Sequence, residues 1–301
     1  MVGVKEVRER LLASLKELHL PAMRASYEEL ARQAQQEVLS YEQFLLSLVE
    51  RECQERRHKR VQRWLHDSHL PLEKSWPALD LKRLPAKVVQ QVRSLLEGDF
   101  VDRHENVLVF GPPGSGKTHL LAALGQELVR SGRKVLFGTC GLLVQELLVA
   151  KRDLKLPRVL KRLTTYEVLI LDDLGYVQQS REEMEVLFTL LAERYERGSV
   201  LLTSNLPFSG WEAIFKDPMT TAAAIDRLVH HSIILELNIP SYRAEQAQKA
   251  RHPRTPLAEA KGGLEGEGGT VAAASPPPGR GPLAPPPPAP PAGPGPAGRE
   301  K

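Results

Sequence analysis

The chain has 301 residues, 42% hydrophobic and 26% charged, which is enough for one or two domains with a sizeable core. Its formal net charge of +4 permits nucleic acid as a partner without requiring it. Two distant cysteines, Cys53 and Cys140, suggest neither a disulfide framework nor a zinc site; a reducing, cytoplasmic setting is expected. No run approaches about eighteen apolar residues, and the first ten carry charge at Lys5, Glu6, Arg8, Glu9 and Arg10, which argues against a membrane span and a signal peptide.

From Val4 to about Leu65 the apolar residues recur at helical spacing, as in Val4, Val7, Leu11, Leu15 and Leu18, then Tyr27, Leu30, Ala31 and Ala34, then Phe44, Leu45, Leu48 and Val49. Residues 1–68 are therefore expected to form an all-helical module. Pro21 should separate the first two helices, and Ser40-Tyr-Glu-Gln43 has the pattern of a capping box that starts the third. The third helix runs into Arg51, Arg56, Arg57, Lys59, Arg60 and Arg63, set against Glu52 and Glu55 only, with Trp64 beside them. Such a face is either solvated with internal ion pairs or a contact for DNA phosphates; Arg56, Arg57, Lys59, Arg60 and Arg63 are the candidate DNA-binding residues.

Residues 69–104 read as a linker and the start of a second domain, turn-rich from His69 to Pro85. Beyond them, Val107 to Phe110, Val135 to Phe137, Val168 to Leu171, Val200 to Thr203 and Ser232 to Leu237 are short, nearly continuous apolar runs separated by helical segments. This alternation over 105–250 predicts an α/β fold: a five-stranded parallel sheet with helices on both faces. From His252 onward the chain carries 14 of its 24 prolines and 10 of its 22 glycines, so residues 251–301 are expected to be a disordered tail.

The chemistry is concentrated after the first strand, in Gly111-Pro112-Pro113-Gly114-Ser115-Gly116-Lys117-Thr118-His119. Glycines let the backbone wrap an anion with successive N–H groups pointing inward, a lysine reaches the β- and γ-phosphates, and a threonine hydroxyl ligates Mg²⁺. ATP and Mg²⁺ are the expected ligands. About fifty residues on, Val168-Leu-Ile-Leu171 ends in Asp172 and Asp173, where a buried strand delivers acids to the carboxyl edge of a sheet. Asp172 is the candidate to hold Mg²⁺ with Thr118, and Asp173 to orient or activate the attacking water, unless it caps the turn at Gly175. The strand ending in Thr203 exits into Ser204-Asn205, so Asn205 either serves a turn or senses the γ-phosphate.

The set GPPGSGKTHL, VLILDDLGY, LLTSNLPFSGW, DRLVHHS at 226–232 and SYR at 241–243 resembles the IstB family, with the similarity covering about residues 5–247. These are ATPase helpers of transposing insertion sequences, related to DnaC-type helicase loaders within the AAA+ class. The resemblance implies a P-loop AAA+ core with strand order 5-1-4-3-2 and Asn205 as sensor 1. It implies an arginine finger at Arg227 that reaches a neighbouring subunit's ATP, and sensor 2 at Arg243. It further implies ATP hydrolysis, assembly as a homo-oligomer on double-stranded DNA, and a separate transposase as partner. A replicative helicase loader is the alternative, differing in what residues 1–65 contact. The sequence departs from the pattern at Asp173, where most AAA+ proteins carry glutamate, and in the Pro-rich tail, which has no counterpart.

Overall fold

The structure, a computed structural model, describes residues 3–175, 180–212 and 218–245. The tail expected over 251–301 lies outside the described residues.

The N-terminal module consists of helices α1 (Val4–Glu17), α2 (Pro21–Gln36) and α3 (Tyr41–Asp67). Pro21 is the first residue of α2, where its missing N–H costs nothing. The capping box is present: Ser40 Oγ accepts from the Gln43 amide at 3.2 Å and Gln43 Oε1 accepts from the Ser40 amide at 2.8 Å. Glu52, buried on α3, accepts from the Ala22 and Met23 amides at 2.8 and 3.1 Å and so caps α2 from outside the helix. Burial alone would raise its carboxyl, but the hydrogen bonds from Arg56, Met23 and Ala22 outweigh it and hold the group below the ordinary carboxylate range.

Two 3₁₀ turns, Trp76–Ala78 and Leu81–Arg83, lead into α4 (Ala86–Glu97) and α5 (Asp99–Asp102). Then follow β1 (Asn106–Phe110), α6 (Lys117–Arg130), β2 (Val135–Thr139), α7 (Cys140–Arg152), α8 (Leu156–Leu163), β3 (Val168–Leu174), α9 (Arg181–Arg194), β4 (Ser199–Ser204), α10 (Pro218–Val229) and β5 (Ser232–Glu236). All pairings are parallel, in the order β2-β3-β4-β1-β5, which is the order the resemblance implies for an AAA+ core. Each of the five predicted strands is present, and β2 and β3 run a few residues further than the apolar runs.

Successive residues of a strand face opposite sides of the sheet, and the core divides accordingly. Leu108, Phe110, Leu169, Leu171, Val200 and Leu202 pack with α7, α8 and α9 on one face. Val107, Val109, Val168, Ile170, Leu201 and Leu235 pack with α4 and α6 on the other. The segment 69–104 is part of this second layer: Leu70, Leu84, Val88, Val92, Leu95 and Phe100 are all buried in it. Buried Arg194 donates to the carbonyls of Leu163, Tyr166, Glu167 and Ser199, joining α8 to the entry of β3 and β4; burial lowers its pKa to about 10, so it stays charged at neutral pH.

Candidate functional site

The loop between β1 and α6 has the backbone of an anion cradle. Gly114 and Gly116 have φ of +80° and +93°, in the left-handed region where a side chain is strained. A Cβ on Gly111 would stand 2.6 Å from the Leu237 carbonyl oxygen, and one on Gly114 would stand 2.1 Å from Ser241 Oγ. The loop is therefore closed on one side by the residues after β5. Gly116 precedes α6, so the N-terminal amides of that helix open at the loop.

Lys117 is buried, and its Nζ donates to the carbonyls of Gly111 and Pro112 at 2.8 and 3.0 Å. Burial, with a smaller contribution from Arg243, pushes the ammonium below its ordinary pKa against the pull of Asp173 and Asp172. Ser115 Oγ is buried with no hydrogen-bond partner. A desolvated cation and an orphaned hydroxyl within a glycine cradle fit a polyphosphate, which would satisfy both.

Asp172, at the end of β3, is 4% exposed; its Oδ1 accepts from Thr118 Oγ1 at 3.0 Å and from Thr203 Oγ1 at 2.7 Å. Burial raises its carboxyl pKa, with the neighbouring Asp173 adding to the rise and the two hydroxyls opposing it. Such a carboxylate gains most from a nearby cation, and Thr118 beside it completes a pair of oxygen ligands suited to Mg²⁺. Asp173 is exposed, with φ of +62°, and its amide donates to Thr203 Oγ1 at 2.8 Å. The β3–β4 register shifts between Leu171 and Leu174, so a bulge turns the adjacent acid out of the strand pattern.

Asn205 is half-buried and directly follows Ser204, whose carbonyl accepts from the Gly111 amide at 3.3 Å. Since β4 lies between β1 and β3, Asn205 leaves the sheet between the phosphate loop and Asp172. Arg243 is exposed in a helical turn at 242–245 and acts electrostatically on Lys117. Tyr242 N donates to the Gly114 carbonyl at 3.0 Å, so this turn sits on the loop. His119 turns to the linker instead, its Nε2 3.1 Å from the Ser75 carbonyl.

Arg227 is not brought to this site. It lies near the end of α10, where the Asn106 side-chain Nδ2 donates to the carbonyls of Leu228 and Arg227 at 3.1 and 3.5 Å. Asn106 begins β1 and the loop follows its end, a separation of about 13 Å at ~3.3 Å per residue. The Arg227 guanidinium rests 4.3 Å from the Phe188 ring centroid, with Nη1 buried and lacking a hydrogen-bond partner. It lines a surface pocket of about 180 Å³ with Arg103, Tyr195, Glu196 and His231.

On α3, Arg56 donates to Glu52 Oε1 at 2.8 Å and to the His19 carbonyl at 2.7 Å, Lys59 pairs with Glu55 at 3.2 Å, and Arg60 stacks 5.9 Å from the Trp64 centroid. Arg57 and Arg63 are exposed. The basic face is thus partly engaged within its own module.

Two participants carried no clear signal in the sequence. Thr203 bonds both acids, hinted at only by a polar residue ending the run Val200-Leu-Leu. Ser241 fills the space beside Gly114, which nothing in its local pattern announces.

The family model of the IstB-like ATP binding protein matches residues 13–250. An insertion sequence ATP-binding protein of Sinorhizobium fredii is 42% identical over 246 residues, covering 81% of this chain and 83% of that one. The insertion sequence IS21 ATP-binding protein of Pseudomonas aeruginosa is 40% identical over 244 residues, covering 80% and 90%. Among solved structures, the chain is similar to DnaI over 56% of its length and 94% of that chain, at 24% identity and a TM-score of 0.48. It is also similar to the DnaC helicase loader over 51% and 89%, at 19% identity and a TM-score of 0.45. With four fifths of its length matched by these relatives and its phosphate loop, Asp172 and sheet order arranged as described, the chain belongs to the family of IstB-like ATP binding proteins.

Proposed function

We propose that this chain is the ATP-hydrolysing helper of an insertion sequence: it assembles with copies of itself on double-stranded DNA and assists a separate transposase in selecting its target. Relatives named as insertion sequence ATP-binding proteins support the setting. The observation that carries the switch is the position of Arg227, at the opposite end of β1 from its own phosphate loop, with an unsatisfied buried nitrogen. Too far from its own loop, Arg227 is read as an arginine finger supplied in trans to a nucleotide on another copy.

In this reading the loop amides and Lys117 hold the phosphates, while Thr118 and Asp172 hold Mg²⁺. The metal, when bound, neutralises charge on the β- and γ-phosphate oxygens. Asp173, turned out of β3 by its left-handed backbone, orients the attacking water, and Asn205 and Arg243 contact the γ-phosphate within the subunit. Arg227 of a neighbouring copy completes the site, so hydrolysis depends on assembly. Departure of the γ-phosphate removes interactions made from both subunits and favours release. The Arg57, Arg60 and Arg63 face of α3 contacts DNA phosphates.

The reading is tested by sizing the purified chain with ATP, ADP and duplex DNA. Larger particles with ATP and DNA that shrink with ADP are expected. Monomers under every condition and concentration would contradict it.

A further inference from the structure

The linker preceding α4 and the segment following β5 meet at the phosphate loop, and one side chain joins them. Arg83, the last residue of the turn Leu81–Arg83, donates to Glu245 Oε1 at 2.7 Å and to the Pro240 carbonyl at 3.2 Å. Its guanidinium also lies 5.0 Å from the Tyr242 ring centroid. A single residue thereby grips the stretch 240–245 at its start, middle and end. Arg83 is itself well covered, with its side chain 21% exposed.

The same stretch closes the loop. Tyr242 N donates to the Gly114 carbonyl, Ser241 occupies the space beside Gly114, and Arg243 stands between Tyr242 and Glu245. Little apolar burial orders this arm: Tyr242 is 50% exposed and Arg243 is exposed. Ordering a chain segment costs about 1–2 kcal/mol per residue, so polar interactions must supply what packing does not. The linker can hold the arm because it is itself pinned to the helix that begins at the loop. Gln126 donates to the carbonyls of Pro71 and Lys74 at 3.0 and 3.2 Å, and His119 meets Ser75.

We propose that Arg83 is a positioning residue of the nucleotide site: it clasps the 240–245 arm onto the phosphate loop and thereby sets where the Arg243 guanidinium stands relative to the γ-phosphate. The proposal rests on the reading of Arg243 as a contact to its own subunit's nucleotide. An arginine suits the task because Nη2 alone reaches both acceptors while the flat face of the guanidinium is left to lie over an aromatic ring. The clasp also ties the arm to the segment that leads back to the helical module.

The test measures ATP and ADP affinity on the full chain for Arg83→Ala, Arg243→Ala and the double variant. Arg243→Ala should lower the preference for ATP over ADP by about tenfold, the size of one hydrogen bond to a charged group. Arg83→Ala should lower it by about three- to tenfold, and adding it to Arg243→Ala should change the ratio less than about twofold, because both act through one group. Glu245→Gln, which removes only the ion pair, should shift the ratio in the same direction by less and gives the same reading should Arg83→Ala fold poorly. Equal loss of ATP and ADP affinity, an unchanged ratio, or additive effects alongside an active Arg243 would overturn the role of Arg83. A ratio unmoved by Arg243→Ala would instead overturn the reading of Arg243, and the clasp with it.

Discussion

The Thr203 hydroxyl stands between the two acids of the site, donating to Asp172 at 2.7 Å and accepting from the Asp173 amide at 2.8 Å. Thr203 is fully buried next to the end of β4. One side chain thereby fixes both the carboxylate suited to Mg²⁺ and the backbone turn that exposes its neighbour.

Thr203→Val keeps the shape and removes the hydroxyl. Nucleotide affinity should stay within about twofold, whereas hydrolysis should fall about 10- to 100-fold, as for other groups that orient a metal-binding carboxylate. The Asp173 amide is left without its partner and Asp172 keeps only Thr118, so stability should drop by about 1–3 kcal/mol. Steady-state hydrolysis beside nucleotide titration separates these effects; unchanged turnover would remove Thr203 from the site.

Asp172 leads to a prediction of opposite sign for stability. Its carboxyl pKa is raised by burial, so the native state carries a penalty wherever both folded and unfolded chains are ionised, and the penalty is relieved as pH falls through the raised native value. Asp172→Asn retains an oxygen that can accept from Thr118 and Thr203 without the buried charge. Its melting temperature at pH 7–8 should exceed the parent's by about 2–4 °C, with a weaker dependence on pH, while Mg²⁺-dependent hydrolysis is abolished. A lower melting temperature would show that the ionised carboxylate stabilises the fold.

The basic face of α3 calls for a choice of residues that leaves the module intact. Arg56 neutralises buried Glu52 and bonds the His19 carbonyl, so its removal would unsettle the packing of α2 on α3. Arg57, Arg60 and Arg63 carry no ion pair among the described residues. Replacing these three with alanine should weaken duplex binding and reduce the slope of log affinity against log salt by up to about 0.9 for each DNA phosphate no longer neutralised, without altering nucleotide affinity. An unchanged affinity and slope would remove this face from the DNA interface.

Much of this organisation was legible because it is local. The strands announce themselves as apolar runs, with β1, β3 and β4 buried on both faces and β2 and β5 half-covered at the edges, the phosphate loop as glycines at fixed offsets, and the α3 cap as Ser40 with Gln43. Asp172 was readable from its place after Leu171. What was not legible depends on residues far apart in the chain. The hydrogen bonds of Arg83 span 157 and 162 positions, and the role of Thr203 depends on the β3–β4 register. The segment 69–104 reads as linker and domain start because turns dominate its first half, yet Leu70 and Leu84 are core residues once α6 is set beside them. The basic run on α3 reads in sequence as either a face with internal ion pairs or a DNA contact, and the ion pairs of Arg56 and Lys59 with Glu52 and Glu55 and the stacking of Arg60 on Trp64 depend on side-chain geometry that the sequence does not fix.

The central claim is that the ATP site is completed by a second copy. Arg227→Ala keeps the phosphate loop and both acids, and Asp173→Asn keeps Arg227, so each variant alone should hydrolyse ATP at least about 100-fold more slowly than the parent while still binding it. Mixed in equal amounts, they should recover about a quarter of the parent rate, the chance that an intact Asp173 meets an intact Arg227 in the adjoining subunit. Hydrolysis that stays at the level of the separate variants at every mixing ratio would contradict a shared site.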